Sequence, residues 1–166
     1  MKGATPALVA LERAGIAHQV HRFAETGEVS DSGQALGYGL AAAHALGVEP
    51  DRVFKTLLVT VHGGRATQAV GIVPVSKQLS LKALALALGA KRVDMLDPRD
   101  AERLTGYVVG GISPFGQRKK LPTVIDVSSS LHETIFVSGG RRGVDVEIAP
   151  TELVGALTAM VAEIAA

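Results

Sequence analysis

The residues that could do chemistry begin with a glycine-rich stretch in the second half of the chain. Gly110 and Gly111 follow the apolar run 107–109 and precede Ser113-Pro114. Adjacent glycines remove side chains where the backbone bends or where a ligand comes close. The stretch could therefore present backbone N–H groups to a ligand, or it could be a bulged turn between two strands. The local sequence alone favours the turn.

A lysine inside an apolar strand is the second unusual feature. The run 51–61, DRVFKTLLVTV, reads as the best strand of the first half, and Lys55 shares a face with Leu57 and Val59. A lysine on that face lies either at the solvent end of the strand or in a pocket. For an isolated lysine the solvent-exposed position is the commoner one.

Other side chains with reactive or ligating groups form no recognised catalytic or metal motif. Asp145 and Glu147 alternate with valines, so they share one strand face, either as acid–base groups or as two solvated acids. The histidines show no HExxH-type spacing, and no metal or cofactor is expected. The chain has no cysteine, no P-loop, no dinucleotide-binding glycine motif and no nucleophile elbow.

Composition restricts the class of protein. The chain has 166 residues and a formal net charge of +1, so we expect one domain over 1–166 and no global attraction to nucleic acid. Two basic clusters, 118–120 and 141–142, could still form local patches. The absence of cysteine, signal peptide and long apolar segments predicts a cytoplasmic protein without a membrane span.

The elements that must position these residues are mixed in order. Helices are expected after Thr5-Pro6, around 40–46, 80–88 and after Asp97-Pro98, with a final helix running from Pro150 towards the C-terminus. Seven strands are expected, several joined by hairpins, and residues 24–37 read as a long loop. The fold class is therefore α+β, with a mixed, mostly antiparallel curved sheet or barrel and surrounding helices.

Several motifs, taken in their order along the chain, resemble one family. They are FKTL at 54–57, TGYVVGGISPFG at 105–116, LPT at 121–123 and VSGGRRG at 137–143. Together they resemble the YbaK family of free-standing aminoacyl-tRNA deacylases, which is related to the editing domain of bacterial prolyl-tRNA synthetases. The resemblance extends over almost the whole chain and is nearest to the Cys-tRNA(Pro) deacylase branch. It implies a mixed-sheet α+β fold.

The resemblance also implies roles for individual residues. Lys55 would position the terminal adenosine or stabilise charge at the ester, with Thr56 hydrogen-bonding beside it. Gly110 and Gly111 would bring backbone N–H groups to the ester carbonyl as an oxyanion hole. Phe23 and Tyr38 would lie near the terminal base, and Phe23 lacks the hydroxyl of the family's commoner tyrosine. The other implied substrate contacts are Ile112, Ser113, Pro114, Ser138, Gly139, Gly140 and Asp145.

The implied substrate is a mischarged tRNA, most readily Cys-tRNA(Pro), whose thiol could attack its own ester while the enzyme orients it. Water or a ribose hydroxyl would serve for other amino acids. An Ala-tRNA(Pro) deacylase, a non-catalytic tRNA- or synthetase-binding module and a small-molecule-binding protein are the alternatives. Prolyl-tRNA synthetase is a possible partner, and the oligomeric state is left open.

Overall fold

The computed structural model describes residues 3–24 and 37–166, so most of the loop expected over 24–37 lies outside the described residues. Within the described ranges no helix has the length and apolar character needed to cross a membrane. The helices begin with proline or a capping side chain in most cases, as the sequence predicts. They are α1 (Pro6–Arg13), α2 (Tyr38–Leu46), α3 (Leu81–Ala87), α4 (Pro98–Thr105) and α5 (Pro150–Leu157).

A five-stranded mixed sheet forms one half of the fold. The strands are β2 (Phe54–His62), β3 (Gln68–Pro74), β4 (Arg92–Met95), β5 (Thr123–Asp126) and β8 (Met160–Ala162). Their order in the sheet is β4-β2-β3-β5-β8, with β2 antiparallel to β3 and β4, and with β5 parallel to β3 and β8. The central hairpin joins β2, which has nine residues, to β3, which has seven.

A three-stranded antiparallel sheet forms the other half. Its order is β1-β7-β6, and its strands are β1 (Gln19–Arg22), β6 (Ile135–Arg141) and β7 (Val144–Ile148). Ser138 pairs with Asp145, and a bulge then separates Ser138 from Arg141. A parallel bridge between Val53 and Phe136 connects the two sheets, which do not close into a barrel in the described part of the chain.

The main core lies between the two sheets and α1. It is aliphatic with a few aromatic rings, and its buried members include Leu11, Phe54, Ile72, Val137 and Val146. The α+β class with largely antiparallel pairing is therefore confirmed. Because alternate strand residues face opposite ways, the same strands can send other side chains towards a cleft beside this core.

Three local predictions need correction. Residues 107–109 form no strand; they lead into a turn in which the Gly111 amide donates to the Val108 carbonyl. The last helix ends at Leu157, because Thr158 takes a left-handed conformation (φ 51°) and the chain continues into β8. The glycine-rich run 138–143 is expected from the sequence to be a turn, but Gly139 and Gly140 belong to the bulge of β6, and the hairpin turn itself is Arg142-Gly143.

Candidate functional site

A cavity of about 300 Å³ lies where the two sheets meet helices α2 and α4. Val53 and the β2 residues 54–58 line one side, and Val109, Gly110 and Ile112 form another wall. β6 and β7 contribute Ser138 and Asp145. Most of the remaining lining is aliphatic. The cavity therefore combines an apolar body with a few polar groups, which is the usual composition of a small-molecule site.

Lys55 lies in this lining rather than at a solvated strand end. Burial lowers the pKa of its ammonium group below the ordinary lysine value. In the described residues no carboxylate forms an ion pair with it. A cation held in a partly desolvated cavity attracts an anionic or developing negative charge more strongly than a cation in water does.

Two residues that carry hydroxyl groups line the same cavity and differ in their bonding. Thr56 is 7% exposed, and its hydroxyl has no hydrogen-bond partner in the described part of the chain. The Ser138 hydroxyl accepts a hydrogen bond from the Gly140 amide at 3.1 Å, at the start of the bulge. A buried hydroxyl without a partner is costly, so a polar group that reached the Thr56 side chain would form a favourable hydrogen bond.

The turn at Gly110 forms a wall shared with an aromatic ring. Gly110 has φ 88°, and a methyl group in place of its hydrogen would lie 2.6 Å from the Tyr38 ring. The Arg142 guanidinium lies over that ring with its central carbon 4.3 Å from the ring centroid, and its Nε donates to the Val109 carbonyl at 2.9 Å. Glycine is therefore required here by both conformation and space.

Asp145 is the buried acid of the cavity. It is 7% exposed, and burial raises the pKa of its carboxyl group to about 7. No cation in residues 3–24 or 37–166 pairs with it. A carboxyl group with a pKa near neutrality can both accept and donate a proton, which is the property that general acid–base chemistry needs.

Glu147 shares the strand face of Asp145 but has a different environment. Hydrogen bonding from the Thr134 hydroxyl, and then from His21 at 2.9 Å, lowers the pKa of Glu147 despite partial burial. Arg52 lies 3.5 Å from the same carboxylate. Glu147 is thus part of an ionic network beside the cavity, and the two acids do not form a catalytic pair.

The structure brings together one part of the predicted site. Seven of the predicted site residues line the cavity: Tyr38, Lys55, Thr56, Gly110, Ile112, Ser138 and Asp145. Phe23 instead lines a neighbouring cavity with Arg22, Arg141 and Arg142.

The other predicted residues shape the backbone around these cavities. Gly111 lies against the backbone of 141–142, and Gly140 lies against Tyr107 and Thr5. Gly139 accepts a hydrogen bond from Thr5, while Ser113 and Pro114 are buried. Five predicted substrate contacts do not line the first cavity: Gly111, Ser113, Pro114, Gly139 and Gly140. Contact between these residues and a substrate stays a prediction.

Sequence reasoning missed the contributions of α2 and α4. The cavity wall includes Gly39, Ala42, Met95, Leu96, Pro98 and Ala101, which the sequence presents as ordinary helix and strand ends. A partial signal in the sequence is Gly39, a glycine in the first turn of α2. In the structure a methyl group at this position would lie 2.3 Å from Val75. In the described residues no group of three or more His, Asp or Glu side chains could hold a metal ion.

Comparison with sequence families gives a match over most of the chain. The model described as the aminoacyl-tRNA editing domain matches residues 40–156, a range that contains Lys55, Gly110 and Asp145. The chain is 41% identical over 124 residues to "Putative Cys-tRNA(Pro)/Cys-tRNA(Cys) deacylase EbsC" of Enterococcus faecalis. That match covers 75% of this chain and 74% of the relative.

Two further similarities are more distant. "Multifunctional Ser/Thr-tRNA deacylase ProXp-y" of Escherichia coli is 32% identical over 94 residues, covering 56% of each chain. Among solved structures, "Crystal structure of a putative trans-editing enzyme for prolyl tRNA synthetase" superposes with a TM-score of 0.81 at 22% identity. It covers 97% of this chain and 95% of the other, and the similarity shows a shared fold.

Proposed function

The chain belongs to the aminoacyl-tRNA editing domain family, and on that premise we propose that it is an aminoacyl-tRNA deacylase. Its reaction is cleavage of the ester that joins a wrong amino acid to the 3′-terminal ribose of tRNA. Cys-tRNA(Pro) is the first candidate substrate. The observation that carries the proposal is the single cavity lined by Lys55, Thr56, Gly110 and Asp145.

The polar lining suits an ester better than a hydrocarbon ligand. The Lys55 ammonium group offers positive charge to the terminal ribose or to the carbonyl oxygen as it becomes negative. The Gly110 turn lets backbone approach the carbonyl without a side chain in the way. The Thr56 hydroxyl has no described partner but is almost fully buried, so it would bond to the substrate's amino acid or ribose after its side chain turns towards the cavity.

Two routes for breaking the ester fit this lining. In the first, the cysteinyl thiol of the substrate attacks its own ester carbon. A carbon–sulfur bond forms, the carbon–oxygen bond to ribose breaks, and the thiol proton reaches the ribose oxygen. In the second, water attacks and supplies the proton. Asp145, with a pKa of about 7, can take up and return the proton in either route.

A deacylation assay tests the proposal. Cys-, Ala-, Ser- and Thr-tRNA are incubated with wild type, with Lys55→Ala and with Lys82→Ala, which removes an exposed lysine of α3. We expect wild type to release cysteine from Cys-tRNA(Pro) and Lys55→Ala to lose about 10²- to 10³-fold in kcat/KM, in line with removal of a charge-stabilising group. Lys82→Ala should match wild type.

The same assay separates the alternatives. Preferential release of alanine would identify an Ala-tRNA(Pro) deacylase, and preferential release of serine or threonine would follow the activity named for the Escherichia coli relative. Binding of tRNA without turnover of any charged species would leave a non-catalytic module. Binding to prolyl-tRNA synthetase is a further part of the proposal, since a net charge of +1 favours weak RNA affinity by the chain alone.

A further inference from the structure

A second cavity of about 490 Å³ lies beside the first and has a different chemical character. Three of its lining side chains are arginines, Arg22, Arg141 and Arg142, and Phe23 supplies an aromatic ring. The formal net charge of the whole chain is only +1, so this cavity concentrates positive charge locally. Such a combination is typical of sites for single-stranded nucleic acid.

The two cavities share one wall. Val109 and Tyr38 line the first cavity, while Val108 and Arg142 line the second. Arg142 is fixed in this wall by its hydrogen bond to the Val109 carbonyl and by its contact with the Tyr38 ring. The two cavities therefore lie on either side of one thin wall, close enough for a single chain-like ligand to contact both.

Two of the guanidinium groups converge, and no acid in the described ranges opposes them. A methyl group placed on Gly3 would lie 3.8 Å from Arg22 Nη1 and 4.0 Å from Arg141 Nη2, so both groups approach one point. No carboxylate in the described ranges forms an ion pair with Arg22, Arg141 or Arg142. Like charges brought together repel, and a bound phosphate would relieve this repulsion with several charge-assisted hydrogen bonds.

A backbone hydrogen bond fixes Phe23 beside the turn that carries Arg142. The Phe23 amide donates to the Gly143 carbonyl at 2.9 Å, which ties the end of β1 to the Arg142-Gly143 turn. The Phe23 residue is only partly buried and lines the second cavity. A nucleobase can stack on such a face without sequence-specific hydrogen bonds.

We propose that this arginine-lined cavity binds the phosphodiester and base of the RNA segment immediately before the terminal adenosine. The inference rests on the proposed function, because it takes the aminoacyl end to occupy the first cavity. It assigns a separate task to each cavity: the first holds the ester, and the second holds the strand that leads to it.

The first test measures RNA binding directly. A labelled RNA 12-mer ending in CCA, with an uncharged 3′ end, is titrated with wild type, Arg141→Ala and Arg65→Ala at several salt concentrations. Arg65 is an exposed arginine in the β2–β3 turn, at the opposite end of β2 from Lys55. We expect Arg141→Ala to raise Kd about tenfold and to reduce the salt slope by about 0.7. Arg65→Ala should change neither quantity.

The second test separates this inference from the proposed function. It compares kcat/KM for cysteinyl-tRNA with kcat/KM for 3′-cysteinyl-adenosine, which lacks the phosphates. Arg141→Ala should lower the ratio of the two values about tenfold, and Arg65→Ala should preserve it. Thermal melting confirms that each variant is folded.

Each outcome decides one of the two ideas. Suppose that wild type deacylates, and that Arg141→Ala changes neither the ratio of the two kcat/KM values nor the affinity for RNA. This result overturns the arginine site and keeps the deacylase. Equal losses on both substrates also overturn it, since the residue would then act through the first cavity. RNA binding that depends on Arg141, without cleavage of any charged tRNA, supports the arginine site and overturns the deacylase.

Discussion

Replacing Asp145 by asparagine should stabilise the protein, and the gain should grow with pH. Burial raises the pKa of Asp145 to about 7, against an ordinary value of about 3.9. Between these values the folded protein keeps a proton that the unfolded chain has lost. Stability is therefore lost as pH rises from about 4 to 7, and the ionised acid destabilises the fold fully above that range. Asparagine has nearly the same shape and never ionises.

The size of the effect follows from the difference between the two pKa values. With about 1.4 kcal/mol for each tenfold change in the proton affinity, the difference between the two pKa values corresponds to about 4 kcal/mol at high pH. Part of this is already present at pH 5, so the gap between variant and wild type should widen by about 2–3 kcal/mol from pH 5 to pH 8. Asp145 is 7% exposed, so screening by solvent is small.

Urea unfolding of both proteins at pH 5, 6, 7 and 8 measures this difference in the free energy of unfolding. Deacylation should fall in the variant, because the proposed proton-transfer group is removed. Glu147→Gln is the matched control on the same strand face. The pKa of Glu147 is lowered, chiefly by the Thr134 hydroxyl, so its contribution to stability is present at neutral pH and lost on acidification. Parallel pH profiles for wild type and Asp145→Asn would refute the argument.

Three further predictions concern other parts of the structure. Thr56→Val removes a buried hydroxyl without a described partner, so the free energy of unfolding should rise by about 1 kcal/mol while kcat/KM falls. Gly110→Ala adds a methyl group 2.6 Å from the Tyr38 ring at a positive φ, and should cost about 2–4 kcal/mol and most activity; Gly15→Ala, also at positive φ but with open space, should cost only about 1–2 kcal/mol by thermal melting. Asp126→Ala should cost about 2–4 kcal/mol in urea unfolding, because the carboxylate accepts two backbone amides near the end of the chain.

The sequence indicated the polar centre of the cavity better than its walls. Lys55 was conspicuous because a charge interrupts an apolar strand, and the order of motifs pointed to the residues around it. The same reasoning could not separate Asp145 from Glu147, because alternation places both on one face. Only the packing of that face shows that Asp145 is enclosed while Glu147 reaches Arg52 and His21.

The glycines illustrate a second limit of sequence reasoning. A glycine marks a position where something approaches closely, but the sequence does not say whether that is a ligand or another part of the chain. At Gly110 the neighbour is an aromatic ring at the cavity, whereas at Gly111 it is the backbone of 141–142. The C-terminal strand was missed because Met160–Ala162 continues the helix-like apolar pattern after Thr158 reverses the chain.

The position of the first cavity between two separately hydrogen-bonded sheets has an evolutionary consequence. Its width depends on how far the strand carrying Lys55 stands from the strands carrying Ser138 and Asp145, and that spacing is set by aliphatic side chains such as Ile72 and Val137 in the shared core. Changes of one methylene in such residues shift neighbouring elements. Related proteins could thus come to accept larger or smaller amino acids through drift in interior volume, while every residue that touches the substrate stays the same.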